Sequence, residues 1–160
     1  MSGPGRLDFP LRISARADYA VRAAAHLAGA RHDALVKGDE IARVQGIPPK
    51  FLVQILASLR RARLVWSHRG IEGGYRLALP AEHVTVADVV RAVEGSLTSL
   101  QGAPPREAAY PHDGEVVRQV WLAVEATIDS VLGVVTLADL AQGVLPGPVA
   151  ALAAGRAPAP

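Results

Sequence analysis

Two runs of apolar residues at helical spacing, separated by Gly46-Ile47-Pro48-Pro49, dominate the first half of the chain. In the first run Ile41, Ala42 and Val44 fit one face of a short helix, which Gly46 can stop and the prolines cannot continue. In the second, Phe51, Leu52, Ile55, Leu56, Leu59 and Ala62 repeat at three- and four-residue intervals, with Pro49 tolerable in the first turn. The period then falls to two. Residues 64–68 and 75–79 are short extended runs, and Gly70-Ile71-Glu72-Gly73-Gly74 between them supplies the positive-φ residues of a hairpin loop. Helix, turn, helix and hairpin predict a winged helix-turn-helix over residues 12–80. The expected fold class is mainly α, with a small β-hairpin wing and a long C-terminal dimerisation helix.

Around this centre the pattern divides the chain further. Residues 1–11 have no period and are expected to form a flexible leader. Ser14 can cap a helix at 15–31, whose many alanines indicate contact on more than one side, between the reading head and the dimer helix. Leu35 and Val36 predict a brief strand against the wing. Residues 81–143 form the expected dimerisation and sensor region, beginning with a helix at 86–95 that Gly95 stops. Residues 96–114 lose periodicity and predict a loop, and loops of that length tend to be functional or disordered. A long helix follows at 115–133, where Val117, Val120, Trp121, Val124, Ile128, Val131 and Leu132 spread over two adjacent stripes. One stripe can cover the chain's own core while the other meets a symmetry mate, as a dimer on a palindromic operator requires. A short last helix near 136–141 precedes a Gly/Pro/Ala-rich tail, 144–160, expected to be disordered.

Charge sharpens the picture. The first eighty residues carry 13 Lys/Arg against 6 Asp/Glu, and the last eighty 4 against 9. Over residues 50–69 the charged side chains are Lys50, Arg60, Arg61, Arg63 and Arg69, with no acid among them, which suits a polyanion, and in a helix-turn-helix the expected one is double-stranded DNA. In this fold the N-terminal side chains of the second helix reach bases. Gln54 can pair bidentately with adenine, Lys50 can take guanine or a phosphate, and Val53 can touch a thymine methyl. Arg12, Arg16, Arg60 and Arg61 are the candidates for backbone neutralisation, with solvated arginines the alternative for the first two.

Composition excludes much of the rest. The chain has no Cys, so thiolate-held clusters, zinc-thiolate sites and disulfides are ruled out by counting. No apolar run is long enough to span a membrane, no secretory leader is legible, and a cytoplasmic location is the default. No nucleophile elbow, paired metal-binding histidines or nucleotide-binding loop appears, so no enzyme is expected. No resident cofactor or metal is expected either; the alternatives are a divalent metal on His112, Asp113 and Glu115 with His26 or His32, which is not a recognised ligand spacing, and a small apolar or aromatic ligand between the loop and Trp121.

From Leu11-Arg12-Ile13 and Asp18-Tyr19-Ala20-Val21-Arg22-Ala23, through Gln45-Gly46-Ile47, Gln54-Ile55-Leu56, Leu64-Val65 and Gly73-Gly74-Tyr75-Arg76-Leu77, to Ala92-Val93-Glu94-Gly95, the chain resembles the bacterial Rrf-two family of winged-helix transcriptional regulators. The resemblance covers about residues 11–143. It implies a dimeric, sequence-specific DNA-binding protein, more often a repressor than an activator, with Arg69 matching the arginine that relatives push into the minor groove. Departures are visible: Val53 stands where the family typically has Glu, and Glu72 where it mostly has Gly. In cluster-binding relatives the loop before the long helix carries cysteines; here Glu115 occupies the last such position and Arg118 that of a histidine. Asp18 matches an aspartate that some relatives contribute from the partner subunit. The resemblance therefore implies a cysteine-free member answering to another effector or to a protein partner, with His112, Glu115, Arg118, Trp121 and Asp18 as effector candidates. The rival reading is a winged-helix protein-interaction module without specific DNA binding.

Overall fold

The computed structural model describes residues 13–31, 33–98, 104–111 and 114–155. The expected leader, Arg12, His32, His112, Asp113, residues 99–103 of the loop and the last five residues of the tail lie outside the described residues. The order is α1 (Ala15–Gly29), α2 (Gly38–Gln45), α3 (Pro49–Arg61), β1 (Val65–His68), β2 (Gly74–Leu77), α4 (Val86–Glu94), α5 (Gly114–Leu132), α6 (Leu137–Gln142) and α7 (Gly147–Ala154). Short 3-10 turns at Ala81–His83 and Pro105–Glu107 precede α4 and α5.

The fold is built around α1. Ser14 caps it by accepting the Ala17 N–H at 3.0 Å, and Ala17, Ala20, Ala23, Ala24 and Leu27 are buried along its length. Side chains this small let neighbours approach closely, and α1 touches α2, α3, α4, α6 and β2. The expectation of contact on several sides is met, with a correction. Opposite the reading head lie mainly α4 and α6, not the long helix.

Gly46 ends α2 in the left-handed conformation at φ 61°, and Ile47 drops into the core beside Leu52, Ile55, Leu56 and Leu59 of α3. Three residues of the predicted stripes stay outside, among them Ala62 at the end of α3. Val44 is exposed, and Phe51 is half exposed with its ring edge-on to Tyr19, centroids 6.2 Å apart. The chain leaves α3 through Arg63, at φ 60°, with the Leu64 N–H bonded to the Leu59 carbonyl at 2.9 Å. This is a left-handed helix end usually supplied by glycine.

The wing is a two-stranded antiparallel sheet pairing Val65 with Leu77, Trp66 with Arg76, Ser67 with Tyr75 and His68 with Gly74. Val36 bridges to Tyr75, as the sequence predicts for that segment. Gly74 is needed at this junction, because a Cβ there would sit 2.7 Å from the Val36 carbonyl oxygen.

Two capping boxes face each other in the second half. Thr85 and Asp88 close the start of α4, and Thr136 and Asp139 close the start of α6. The two caps are joined by an antiparallel bridge, Val86 N–H to the Val135 carbonyl at 2.9 Å and Leu137 N–H to that of Val84 at 2.8 Å. Hydrogen bonding from the Thr136 backbone N–H holds the Asp139 carboxyl below its ordinary value. Its contribution is thus present above the unfolded carboxylate pKa and lost as pH falls through the lowered folded value. Thr136→Ala removes the side-chain half of this cap and is expected to cost about 0.5–2 kcal/mol in urea denaturation. An unchanged midpoint would contradict the role of the cap.

The tail departs from expectation. Residues 147–154 form α7, because Pro148 suits a first turn, the alanines that follow favour helix, and Val149 anchors it against Val86 and Val135.

Candidate nucleic-acid interface

Helix α3 is divided lengthwise. Leu52, Ile55, Leu56 and Leu59 are buried, while Lys50, Val53, Gln54, Arg60 and Arg61 are exposed. Val53 is 65% exposed and lies beside Gln54 at the N-terminal end of the helix. The three proposed base readers thus share one accessible surface.

The arginines are organised by two serines that the sequence does not single out. Ser58 is 3% exposed, and its hydroxyl accepts from Arg16 Nη2 and from Arg61 Nη2, each at 3.0 Å. This draws α1 and the end of α3 together and orients both guanidinium groups. Arg60 donates from Nη1 to Ser67 Oγ on the wing at 3.3 Å. Cationic groups from α1 and α3 are thereby tethered, one of them against the wing, and a polyanion is their complementary partner.

On the wing, Arg69 is exposed just beyond β1. The tip closes through the Gly73 N–H bonded to the Gly70 carbonyl at 2.9 Å, with Gly70 at φ 107°. The Lys37 ammonium donates to the Ile71 carbonyl and ties the tip to the start of α2. Trp66 stacks on His68 at 5.7 Å and carries the Arg76 guanidinium over its ring at 4.8 Å. Cross-strand pairing of residues 66 and 76 could have been read from the hairpin register. The Lys37 tether could not, because it joins residues 34 apart.

The effector candidates are not gathered into one described site. Arg118 donates from Nε and Nη2 to the two Glu115 oxygens at 2.9 and 2.7 Å, within the first turns of α5. This pairing lowers the Glu115 pKa and raises that of Arg118. Asp18 pairs with Arg22 along α1 at 3.5 Å, and Trp121 sits 36% exposed on α5. A cleft of 660 Å3 opens elsewhere, where α1, α2 and α6 meet, with His26, Glu40 and Gln45 along its polar side and Val21 and Leu140 along its apolar side. His26 Nδ1 lies 3.3 Å from the Gln45 amide nitrogen. No described helix is long and apolar enough to cross a membrane.

Helix α5 is the second conspicuous surface. Among the described residues it has no buried member, although Val116, Val117, Val120 and Trp121 are large and apolar. It is joined to the body by Arg91–Asp129 at 2.6 Å, by Arg106–Glu125 at 3.8 Å and by Val131 and Leu132 at its end. Val124, Ile128, Val131 and Leu132 are half-buried, so the two expected stripes differ in depth.

Comparison with known proteins agrees with this geometry. Residues 13–143 match the Rrf2 family, described as iron-dependent transcriptional regulators. Rv1287 of Mycobacterium tuberculosis H37Rv, which bears a helix-turn-helix regulator name, is 48% identical over 143 residues, covering 89% of each chain. The structure of CymR, the global cysteine regulator of Bacillus subtilis, superposes with a TM-score of 0.69 at 28% identity, covering 84% of this chain and 98% of CymR. IscR of T. potens gives 0.66 at 32% identity over 83% of this chain and 88% of its own. The iron in the family description does not fit the donors here as a thiolate-held cluster. The chain has no cysteine, and the Glu115 carboxylate at the start of α5 is bound by Arg118. The matched span, the helix-turn-helix with its wing and the likeness to two solved regulators together mean that this chain belongs to the Rrf2 family of winged-helix, DNA-binding transcriptional regulators and is not an enzyme.

Proposed function

We propose that the protein is a homodimeric repressor that binds a palindromic operator through α3 and the wing. The observation that carries this reading is the pairing of two unsatisfied surfaces: a cation-rich reading head and the exposed apolar stripe of α5. Lys50, Val53 and Gln54 read the major groove, Arg69 enters the minor groove, and Arg12, Arg16, Arg60 and Arg61 neutralise phosphates. Val53 accepts no hydrogen bond, so the operator carries thymine rather than cytosine opposite it. The chain works in the cytoplasm without a resident metal or cluster, and its signal is a small effector or a protein partner.

A gel-shift titration against genomic fragments, including the protein's own promoter, tests this. One fragment should bind far more tightly than random DNA at moderate salt; uniform binding would refute specific recognition. Arg69→Ala should weaken the specific complex by roughly 1–3 kcal/mol and lower the salt slope by about one unit. An unaltered slope would remove Arg69 from the phosphate-lined groove.

A further inference from the structure

Among the described residues Ile71 is the most exposed large apolar side chain, at 91%, and it stands at the apex of the wing. An isolated surface isoleucine needs no explanation, but this one is held in place from several sides. The Gly70–Gly73 hydrogen bond closes the turn beneath it. A Cβ at Gly73 would run into the His68 carbonyl oxygen and come within 2.8 Å of the Arg69 carbonyl carbon, so the loop packs against itself. Lys37 grips the Ile71 carbonyl, and the Val36–Tyr75 bridge, with bonds of 2.9 and 2.8 Å, fixes the root. The side chain is therefore presented on a braced support.

Its surroundings select the partner. Arg69 lies two residues before it and Lys37 beneath it, Arg76 and Arg60 flank the strands, and Glu72 is the only acid between residues 41 and 81. An apolar apex on a cationic hairpin matches a duplex, where phosphates attract the flanks and the base stack is the apolar element between them. A protein partner with an apolar pocket would not need this concentration of positive charge.

We propose that Ile71 is a wedge. With Arg69 in the minor groove, the isoleucine enters between two base pairs, partly unstacks them and kinks the operator towards the major groove, as apolar side chains do in minor-groove binders. Flexible pyrimidine–purine steps accept this distortion most easily, so Ile71 adds sequence preference at a position where no hydrogen bond reads a base. The inference rests on the DNA-binding reading given above and extends it to the shape of the bound DNA.

The test uses the full chain on its best gel-shift fragment. Bend is measured by energy transfer between dyes at the two DNA ends, and unstacking by 2-aminopurine placed in turn at each step facing the wing. The wild type should shorten the end-to-end distance and raise 2-aminopurine fluorescence at one step per half-site. Ile71→Ala, whose exposed position leaves the fold intact, should abolish the fluorescence rise and reduce the bend while binding several-fold more weakly. Ile71→Leu should restore both. A wild-type complex on straight, fully stacked DNA overturns the wedge and leaves DNA binding standing. So does an Ile71→Ala complex with unchanged bend and fluorescence. If the wild type binds no fragment specifically, both readings fall. A change in sedimentation of the free protein on Ile71→Ala, with DNA shape unaltered, would make the tip a protein contact and likewise overturn the proposal.

Discussion

Aspartate at both Val117 and Val120 is expected to convert the proposed dimer to monomers and to lower operator affinity about 10²–10⁴-fold, the factor lost when two linked binding modules act singly. Both positions lie on the exposed side of α5, 46% and 53% accessible, so the charges meet solvent in the monomer and disturb no packed core there. Across a two-fold interface each aspartate would have to be desolvated opposite an apolar surface, which costs several kcal/mol per unpaired charge. A helix of 19 residues extends about 28 Å, enough to contribute much of the roughly 800 Å2 per partner that a stable interface buries. Sedimentation velocity reads the assembly state, gel shift the affinity, and circular dichroism confirms that the fold is retained. A double variant that still sediments as a dimer would show that α5 is not the joining surface.

Leu59→Ala is expected to destabilise the chain by about 2–5 kcal/mol, a large share of the total for a domain of this size. Leu59 is fully buried in the main core, and its carbonyl holds the turn that sends the chain from α3 into β1. Removal leaves a cavity under the helix that carries Lys50, Val53 and Gln54, so DNA binding should fail through loss of the folded head. Val53→Ala on the outer face of the same helix should change stability by no more than about 0.5 kcal/mol and alter only recognition. Urea denaturation of the two variants separates the cases. Equal effects would mean that the inner and outer faces of α3 have been assigned wrongly.

Much of this arrangement was legible in the chain because its causes are local. The Gly46-Ile47-Pro48-Pro49 break, the four-turn stripe of α3 and the glycine-rich hairpin each depend on residues close in sequence. So do the capping threonines of α4 and α6. The stripes failed at their edges, at Val44, Phe51 and Ala62, since periodicity locates a face but not its width. Residues 147–154 are helical against the expectation of a disordered tail for a different reason. Their Gly and Pro content resembles a linker, yet the prolines fall where a helix can start, and Val149 finds a pocket between Val86 and Val135, residues 49 positions apart.

The candidate site divides along the same line. Lys50, Val53, Gln54 and Arg69 follow from the order of the elements, and the absence of cysteine alone excludes a thiolate-held cluster. Ser58 as the acceptor for both Arg16 and Arg61, Lys37 as the brace of the wing tip, and the Arg91–Asp129 tie between α4 and α5 join residues that only folding makes neighbours. By itself the sequence determined the helix-turn-helix and its hairpin, where positive charge is concentrated and that thiolate-held metal chemistry is impossible, because these depend on composition and short-range spacing. Only the tertiary structure decided which arginines are tethered, how firmly Ile71 is held out and how much of α5 stays uncovered, because these depend on what distant parts of the chain bring against one another.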